Sequence, residues 1–203
     1  MHHPYLIGNK VYLRALEDGD LTGPMFNWAH DPEVVRYMYM GWIPNTVEGL
    51  RREYAAMRDN AAANLTQAST LPADIVLAVI DKQSDIHIGN VGLFGISWLM
   101  RIAELRIVLG DRAHWGAGKG FEAYKLMLEY GFDRLNLRRI VAGTRSDNIA
   151  SIALLEKVGF VREGCEREHF LRDDQPYDVL TFGLLRREFV ALFPSPQPTA
   201  EPA

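Results

Sequence analysis

The sequence of 203 residues contains a single cysteine, Cys165. One thiol excludes an internal disulfide and a metal site of cysteines, so we expect a reducing compartment, no bound metal and a fold held by packing alone. No apolar run approaches the roughly 18 residues that span a bilayer. The N-terminal segment MHHPYLIGNKVYL has neither the basic nor the apolar region of a secretory signal, which predicts a cytoplasmic protein without membrane contact.

Basic residues are scattered, and the formal net charge is -4. This distribution argues against a nucleic-acid partner and favours a small ligand. The chain length suits one domain, which we assign to residues 1–192. The remainder, FPSPQPTAEPA at 193–203, is rich in proline and poor in apolar residues, so we expect a disordered tail.

Hydrophobic periodicity predicts mainly helices in the first third of the chain and a sheet after it. The predicted elements of the first part are a strand at 11–14, a helix at 21–30, a short helix restarting at 31–33, a helix from a Thr46 cap to about residue 60, and an exposed connection at 61–72. The later elements are strands at 75–80, 87–95, 103–109 and 139–144, helices up to residue 132 and at 148–158, and a hairpin around 172–176. These elements indicate a mixed α/β class.

The order strand, glycine turn, helix, strand from residue 103 to 144 predicts a crossover between two parallel strands. Ligands of such a unit gather at the carboxyl end of its first strand. The helix is amphipathic, since Phe121, Tyr124, Leu128 and Phe132 recur at helical spacing. We therefore expect these four side chains to face the core.

The turn itself reads HWGAGKGFEA over residues 114–123. It lacks the glycine and hydroxyl positions of a nucleotide triphosphate loop, and its glycines do not match the dinucleotide fingerprint. Alternate glycines before a helix allow successive amide N–H groups to face one point, where the positive end of the helix dipole adds to them. The turn therefore predicts an anion-binding cradle, to which Lys119 could add a point charge.

The segment AELRIVLGDRAHWGAGKGFEAYKLMLEYGF, followed by LNLRRIVAGTRSDNIASIALLEKVGFVREG, closely resembles the GNAT superfamily of N-acetyltransferases. The subgroup it resembles includes ribosomal-protein N-terminal acetyltransferases and many amino-sugar and polyamine acetyltransferases. The family pattern R/Q-x-x-G-x-G/A maps onto Trp115, Gly118 and Gly120, with tryptophan departing at its first position. The resemblance implies a mixed sheet flanked by helices, whose splayed parallel strands hold acetyl-coenzyme A.

The resemblance also implies which residues bind this co-substrate. The amides from Trp115 to Gly120 would hold its pyrophosphate, and backbone groups of the preceding strand would pair with its pantetheine arm. Asn148 and Ser151, at the start of the later helix, would contact the same arm, although Asn148 could equally be a simple helix cap. The complete predicted binding set is Ile107, Val108, Leu109, Trp115, Gly116, Ala117, Gly118, Lys119, Gly120, Asn148 and Ser151.

Catalytic roles are predicted for Glu104 and Ser151. Many relatives carry a tyrosine that protonates the leaving thiolate where this chain has Leu155, so Ser151 or a water would replace it. Glu104, on the strand that leads to the groove, would accept the amine proton unless it is only an ion-pair partner of Arg106. His87 and His169 are alternative bases, unless each is a strand histidine with a structural partner.

A backbone N–H near Val108 would stabilise the oxyanion. The aromatic residues Tyr39, Trp42 and Trp98 are candidates for contacts with the acceptor amine. The predicted acceptor is a small molecule such as an amino sugar, with a peptide N-terminus as the alternative and a noncatalytic coenzyme A sensor as a third possibility. A homodimer is compatible with the sequence.

Overall fold

The computed structural model describes residues 3–39, 44–66 and 71–194. Its helices are α1 Asp18–Thr22, α2 Pro24–His30, α3 Val47–Thr66, α4 Lys119–Glu129, α5 Ile149–Val158 and α6 Arg186–Leu192. Its strands are β1 Leu6–Ile7, β2 Val11–Ala15, β3 Ile75–Asp81, β4 His87–Ser97, β5 Ile102–Leu109, β6 Arg139–Arg145, β7 Val161–Arg172 and β8 Gln175–Leu185.

All eight strands form one sheet in the order β1-β2-β3-β4-β5-β6-β8-β7. Among the strands of the described residues, only β5 and β6 are parallel neighbours, as the crossover pattern predicts, and the other neighbours are antiparallel. The predicted mixed α/β class is therefore confirmed. The hairpin β7–β8 turns at Asp173 and Asp174, both of which have positive φ.

The parallel pairing of β5 with β6 is short. It joins Ile102 to Arg139, Ala103 to Ile140 and Glu104 to Val141, and it stops there although both strands continue. Beyond Glu104 the strands splay apart, as the family resemblance implies, and a gap opens in the sheet.

Helix α4 packs on the sheet at this gap. Of the four predicted core side chains, Tyr124, Leu128 and Phe132 are buried and Phe121 is only partly buried, while Ala123 and Met127 are buried on the same helix. After Glu129 the helix continues through a π-helical turn, Tyr130–Arg134, which places Phe132 in the same core. The helix is thereby fixed along its length, so the glycine turn at its start is attached to a rigid element.

The structure corrects two predicted boundaries in the first part of the chain. Helix α3 continues to Thr66, so the first six residues of the expected connection at 61–72 are helical. The helix expected to restart at 31–33 is a 3-10 turn at Val35–Tyr37. The predicted Thr46 cap is present, because its hydroxyl accepts a hydrogen bond from the Gly49 amide at 3.0 Å.

The first residue of the expected tail, Phe193, packs against the domain. Its ring lies 5.1 Å from that of Phe189 on α6 and 6.3 Å from that of Phe121 on α4. Residues 195–203 lie outside the described part of the chain, so the disorder of the tail stays a prediction.

Candidate active site

The loop between β5 and α4 has a conformation that its glycines make possible. Gly116 and Gly118 have φ values of 74° and 77°, in the left-handed region that side chains with a Cβ rarely adopt. Asp111 starts the loop by accepting a hydrogen bond from the Ala113 amide. The Trp115 indole donates to the Leu109 carbonyl at 2.8 Å, which closes the loop onto the end of β5.

Gly118 forms the N-cap of α4, so the first-turn amides of that helix open onto the loop. A Cβ on Gly118 would lie 3.2 Å from the Lys10 Nζ, and one on Gly120 would lie 3.1 Å from a Leu109 methyl group. The left-handed φ requires glycine at position 118, whereas a Cβ at position 120 would need the Leu109 side chain to shift slightly. Exposed amides at the positive end of a helix fit a diphosphate, in agreement with the predicted cradle.

Lys119 does not direct its charge into the loop. Its ammonium lies 2.7 Å from Asp81 Oδ1 on β3; the Asp81 side chain is buried and that of Lys119 is partly buried. Burial alone would raise the pKa of Asp81, but hydrogen bonds from Lys119 and Ser84 outweigh it and lower that pKa to about 2. The point charge that the sequence suggested for the cradle is thus used to fix the start of α4, and Lys119 has only its amide to offer a ligand.

Two residues outside the predicted set hold the loop from the opposite side. The Glu122 carboxylate, in the first turn of α4, accepts hydrogen bonds from the amides of Asn9, Lys10 and Val11 at 2.6–2.9 Å. The Lys10 ammonium donates to the Ala117 carbonyl at 2.8 Å. The turn between β1 and β2 is therefore a support of the cradle. More than 100 residues separate these partners, so no local sequence pattern could reveal them.

The pairing of β4 with β5 decides which backbone groups face the gap. The Gly110 amide donates to the Ile88 carbonyl at the end of this ladder, and hydrogen-bonded positions alternate along an antiparallel pair. Val108 therefore directs its backbone groups at β4, whereas those of Ile107 and Leu109 face the gap. The Leu109 carbonyl is already occupied by the indole described above, so its amide and both groups of Ile107 can pair with an amide-bearing ligand.

The start of α5 faces the same gap. Asn148 is the N-cap, and its side chain accepts a hydrogen bond from the Ser151 amide at 3.2 Å. Ser151 and Leu154 line the cleft between the splayed strands, which has a volume of about 1620 Å³. Leu155 is buried in the core instead.

The carboxylate of Glu104 also lines this cleft, at the point where the parallel pairing ends. It lies 2.6 Å from a guanidinium nitrogen of Arg106, and its side chain is one third exposed. The ion-pair alternative considered for Glu104 is thus present in the structure. The pair leaves the second carboxylate oxygen outside that contact, so an ion pair and a role at the reacting centre are compatible.

The structure separates the two histidines considered as alternative bases. His87, the first residue of β4, is buried, and its ring nitrogens lie 3.0 Å from Asp20 and 2.9 Å from Asn90, so it is a structural residue. His169 on β7 lies at the cleft, 2.7 Å from Glu166, and about half of its side chain is exposed.

Of the predicted acceptor contacts, Tyr39 lines the cleft and packs on Phe170 with ring centroids 4.7 Å apart. Trp98 does not contribute to the part of the cleft wall that the structure describes. Its indole donates to the Pro72 carbonyl at 2.9 Å and its ring packs on the core, so its role is structural. Trp42 lies outside the described residues.

Arg145, at the end of β6, is a cleft residue that the sequence analysis missed. Its guanidinium is buried over the Tyr177 ring, 3.7 Å from the centroid, and between Tyr37 and Phe170 at 5.0 Å each. It pairs with Asp147, whose pKa it lowers, and donates to the Arg36 carbonyl at 3.1 Å. Arg145 thereby ties the 3-10 turn of residues 35–37 to the sheet.

No helix in the described ranges is both long and apolar enough to cross a bilayer. Within the same ranges, no three potential metal-ligating side chains lie close enough together to hold an ion.

Comparison with known proteins is consistent with this geometry. The family model described as an acetyltransferase (GNAT) domain matches residues 10–161. A Bacillus licheniformis protein named as an N-acetyltransferase is 34% identical over 91% of this chain and 97% of its own length. The spermidine N(1)-acetyltransferase of Vibrio cholerae is 27% identical over 91% of this chain and 98% of its own.

Solved structures agree. The crystal structure of spermidine N-acetyltransferase from Vibrio cholerae in complex with CoA and spermine aligns with a TM-score of 0.75 at 27% identity, over 90% of this chain and 99% of that one. A glycine loop of open amides, a gap between parallel strands and a family model that covers most of the domain lead to one conclusion. The chain belongs to the GNAT superfamily and is an acetyl-coenzyme A-dependent N-acetyltransferase.

Proposed function

We propose that the protein transfers acetyl groups to a primary amine of a small, cationic alkylamine, by direct attack of the amine on the thioester. The observation that carries this proposal is the position of Glu104, which lies at the mouth of the gap between β5 and β6, in the same cleft as the glycine loop. One cleft can therefore hold both reactants, and positioning supplies much of the rate acceleration.

The chain's contribution to binding acetyl-coenzyme A follows from its open backbone groups. We assign the pyrophosphate to the amides from Trp115 to Gly120, and the pantetheine arm to Ile107 and the Leu109 amide. Asn148 and Ser151 border the same path from α5. The bound thioester supplies the electrophilic carbon, and the Ile107 N–H, next to Val108, is the backbone donor proposed for the oxyanion.

We propose Glu104 as the group that accepts the proton of the amine. A primary alkylamine has a pKa of about 10, so it is protonated at neutral pH and must lose a proton before it can attack. A carboxylate that is one third exposed beside the gap can receive this proton directly or through a water. Arg106 holds the carboxylate in place at 2.6 Å.

The far end of the cleft supports a cationic acceptor in preference to an amino sugar. Aromatic side chains from the 3-10 turn, α3, β4 and β7 surround it, and carboxylates from the same region join them. These residues are Tyr37, Tyr39, Tyr54, Phe94 and Phe170, with Glu33, Glu53 and Glu166. The Tyr37 and Phe170 rings already contact the Arg145 guanidinium, and the Phe94 ring contacts that of Arg106. The rings therefore offer apolar surface to an alkyl chain and the carboxylates attract its ammonium group, whereas sugar hydroxyls need neutral polar partners. The names of the relatives given above agree with this class.

Release of free thiol from acetyl-coenzyme A tests the proposal. Four acceptor classes should be compared at equal concentration: polyamines, monoamines, amino sugars and short peptides with free N-termini. We expect the highest kcat/KM with polyamines. Preferential turnover of peptides or amino sugars would replace the proposed acceptor class, and tight binding of acetyl-coenzyme A without any turnover would indicate a sensor.

The role of Glu104 has its own test in Glu104→Gln. We expect kcat at pH 7 to fall about 100-fold, the lower range for loss of a general base, with unchanged affinity for acetyl-coenzyme A. Glu129→Gln on the outer face of α4 is the matched control, because its carboxylate pairs with Lys125 away from the cleft. Equal kcat values for the two variants would remove Glu104 from the mechanism.

A further inference from the structure

Tyr124 on α4 combines burial with access to the cleft. The residue is 3% exposed, yet it contributes to the cleft wall. In the described part of the chain its hydroxyl has no hydrogen-bond partner. The hydroxyl oxygen is not among the fully covered polar atoms of the described chain, so it opens onto the cleft. A hydroxyl that faces the cleft without a protein partner is available to donate to a bound ligand.

The position of Tyr124 along α4 relates it to the path of the thioester. Tyr124 lies four residues after Gly120, so the two share one face of the helix. A Cβ at Gly120 would contact Leu109 at 3.1 Å and Leu154 at 3.5 Å, which shows that this face borders the slot between β5 and α5. Tyr124 lies about 6 Å farther along the helix axis from the glycine loop, at a rise of about 1.5 Å per residue.

Glu104 is the charged group that acts on this hydroxyl. Burial raises the pKa of Tyr124, and the negative charge of Glu104 raises it further. The hydroxyl is thus fully protonated at neutral pH and is available as a donor. The interaction also indicates that the two residues border the same part of the gap, with Glu104 on the strand and Tyr124 on the helix beneath it.

We propose that Tyr124 is the catalytic residue that delivers a proton to the leaving sulfur. The proposal rests on the proposed function, because the leaving group is a thiolate only if a thioester is the donor. As the amine nitrogen bonds to the acetyl carbon, the carbon–sulfur bond breaks and the sulfur takes the Tyr124 proton. Through water in the cleft, the Tyr124 oxygen recovers a proton from Glu104, which carries the one that the ammonium form of the amine lost before attack. The attacking nitrogen loses its second proton to solvent as the amide forms, so each transfer releases one proton and needs no external acid.

Neither Leu155 nor Ser151 on α5 is as well placed as Tyr124 to give a proton to the sulfur. Leu155 has no proton to give and is buried in the core. Ser151 is in the first turn of α5, which follows the end of β6 and therefore lies near the glycine-loop end of the slot. The sulfur is at the opposite end of the pantetheine arm from the pyrophosphate. Tyr124 is thus better placed for it than the serine that the sequence suggested.

Tyr124→Phe removes only the hydroxyl, and Tyr130→Phe is the matched control. Tyr130 follows directly after α4, and its ring packs edge-on against Tyr5 at 5.5 Å, outside the described cleft wall. We expect Tyr124→Phe to lower kcat about 100-fold, with less than a twofold change in the Kd of acetyl-coenzyme A by calorimetry. Tyr130→Phe should retain the wild-type kcat.

A second readout needs no acceptor. Thiolate absorbance near 240 nm reports ionisation of the thiol of bound coenzyme A, with the desulfo-coenzyme A complex as the blank. A hydroxyl that donates to the sulfur favours the thiolate, so this thiol should titrate about one pH unit lower in the wild-type protein than in Tyr124→Phe.

The outcomes separate the two proposals. Coincident thiol titrations and equal kcat values in wild type and Tyr124→Phe would overturn the role of Tyr124, and a loss of rate in Ser151→Ala would then assign it to the serine. A shifted titration in a protein that turns over no amine would support the Tyr124–sulfur contact while contradicting the proposed acetyl transfer.

Discussion

The two halves of the cleft are built in different ways. The half that carries the glycine loop presents backbone amides, while its side chains face away and hold the loop in place, as in the pairs Glu122 with the β1–β2 turn and Lys119 with Asp81. The acceptor half presents side chains, which are carried by a 3-10 turn and attached to the sheet through Arg145. Backbone recognition suits a ligand that does not change, and side-chain recognition suits one that differs between relatives.

The largest effect is expected from Gly118→Glu, which breaks the backbone half. The substitution forces a side chain into a left-handed position and places a carboxylate at the proposed pyrophosphate site. Calorimetry should show that the affinity for acetyl-coenzyme A falls about 100-fold or more, because several charge-assisted hydrogen bonds to the ligand are lost. Gly19→Glu is the control, because a Cβ at Gly19 meets no atom within 4 Å. Wild-type affinity in a folded Gly118→Glu protein would contradict the cradle.

Arg145→Met tests the acceptor half. The change keeps an unbranched chain over Tyr177 but removes the bonds to Asp147 and to the 3-10 turn. Loss of such a partly buried charged pair is expected to cost about 2 kcal/mol of unfolding free energy, and the KM for the amine should rise about 10-fold. Affinity for acetyl-coenzyme A should stay as in the wild type, with Arg187→Met on α6 as the exposed control. Parallel losses of both affinities would show that the halves are not independent.

Glu122→Ala tests the backbone half of the cleft through a residue that supports the glycine loop from outside. It removes the acceptor of three backbone amides without touching a loop residue, so acetyl-coenzyme A should bind about 10-fold more weakly while the KM for the amine stays constant. Denaturant unfolding should show a loss of about 2 kcal/mol. Glu129→Ala, which breaks only an exposed pair on the same helix, should cost less than about 0.5 kcal/mol.

The smallest effect concerns acid stability. The pKa of Asp81 is lowered to about 2 in the folded protein, from an ordinary value of 3.8. A lowered carboxyl pKa stabilises the fold above the ordinary value, and this contribution is lost as pH falls from about 4 towards 2. Asp81→Asn should be less stable at pH 7 and should show a shallower fall in stability over that interval, measured by circular dichroism during urea unfolding. An unchanged slope would mean that the pair with Lys119 does not contribute.

The glycine loop and the central crossover were predictable because their determinants are local. Gly116 and Gly118 need positive φ, and the apolar period of α4 specifies its buried face. The supports of the loop were not predictable, since Lys10 and Glu122 meet only after the sheet brings the first hairpin beside α4. The same reason hid Arg145. The predicted charge of Lys119 in the cradle was wrong, because no nearby residue in the sequence indicates that its ammonium pairs with Asp81 on β3.

Tyr124 shows how a correct period can conceal a functional group. Its spacing with Leu128 predicts a core position, and the residue is indeed buried. Whether a buried hydroxyl borders a cavity depends on the neighbouring strands, and here the gap between β5 and β6 exposes it to the cleft. A helical pattern predicts which face of the helix carries a side chain, but it does not predict whether packed core or a cavity lies against that face.

The short parallel pairing between Ile102–Glu104 and Arg139–Val141 determines how the two parts of the sheet are joined. Strands β1 to β5 form one part of the sheet, and β6, β8 and β7 form another. Among the described residues, only these three residue pairs join the two parts by strand pairing. A ligand that forms hydrogen bonds with the open edge of β5 takes the position of a neighbouring strand there and continues the pairing beyond these three residue pairs. Hydrogen exchange of the Ile107 and Leu109 amides should therefore slow when coenzyme A binds, while the exchange rates of the other amides of β1 to β5 should change little.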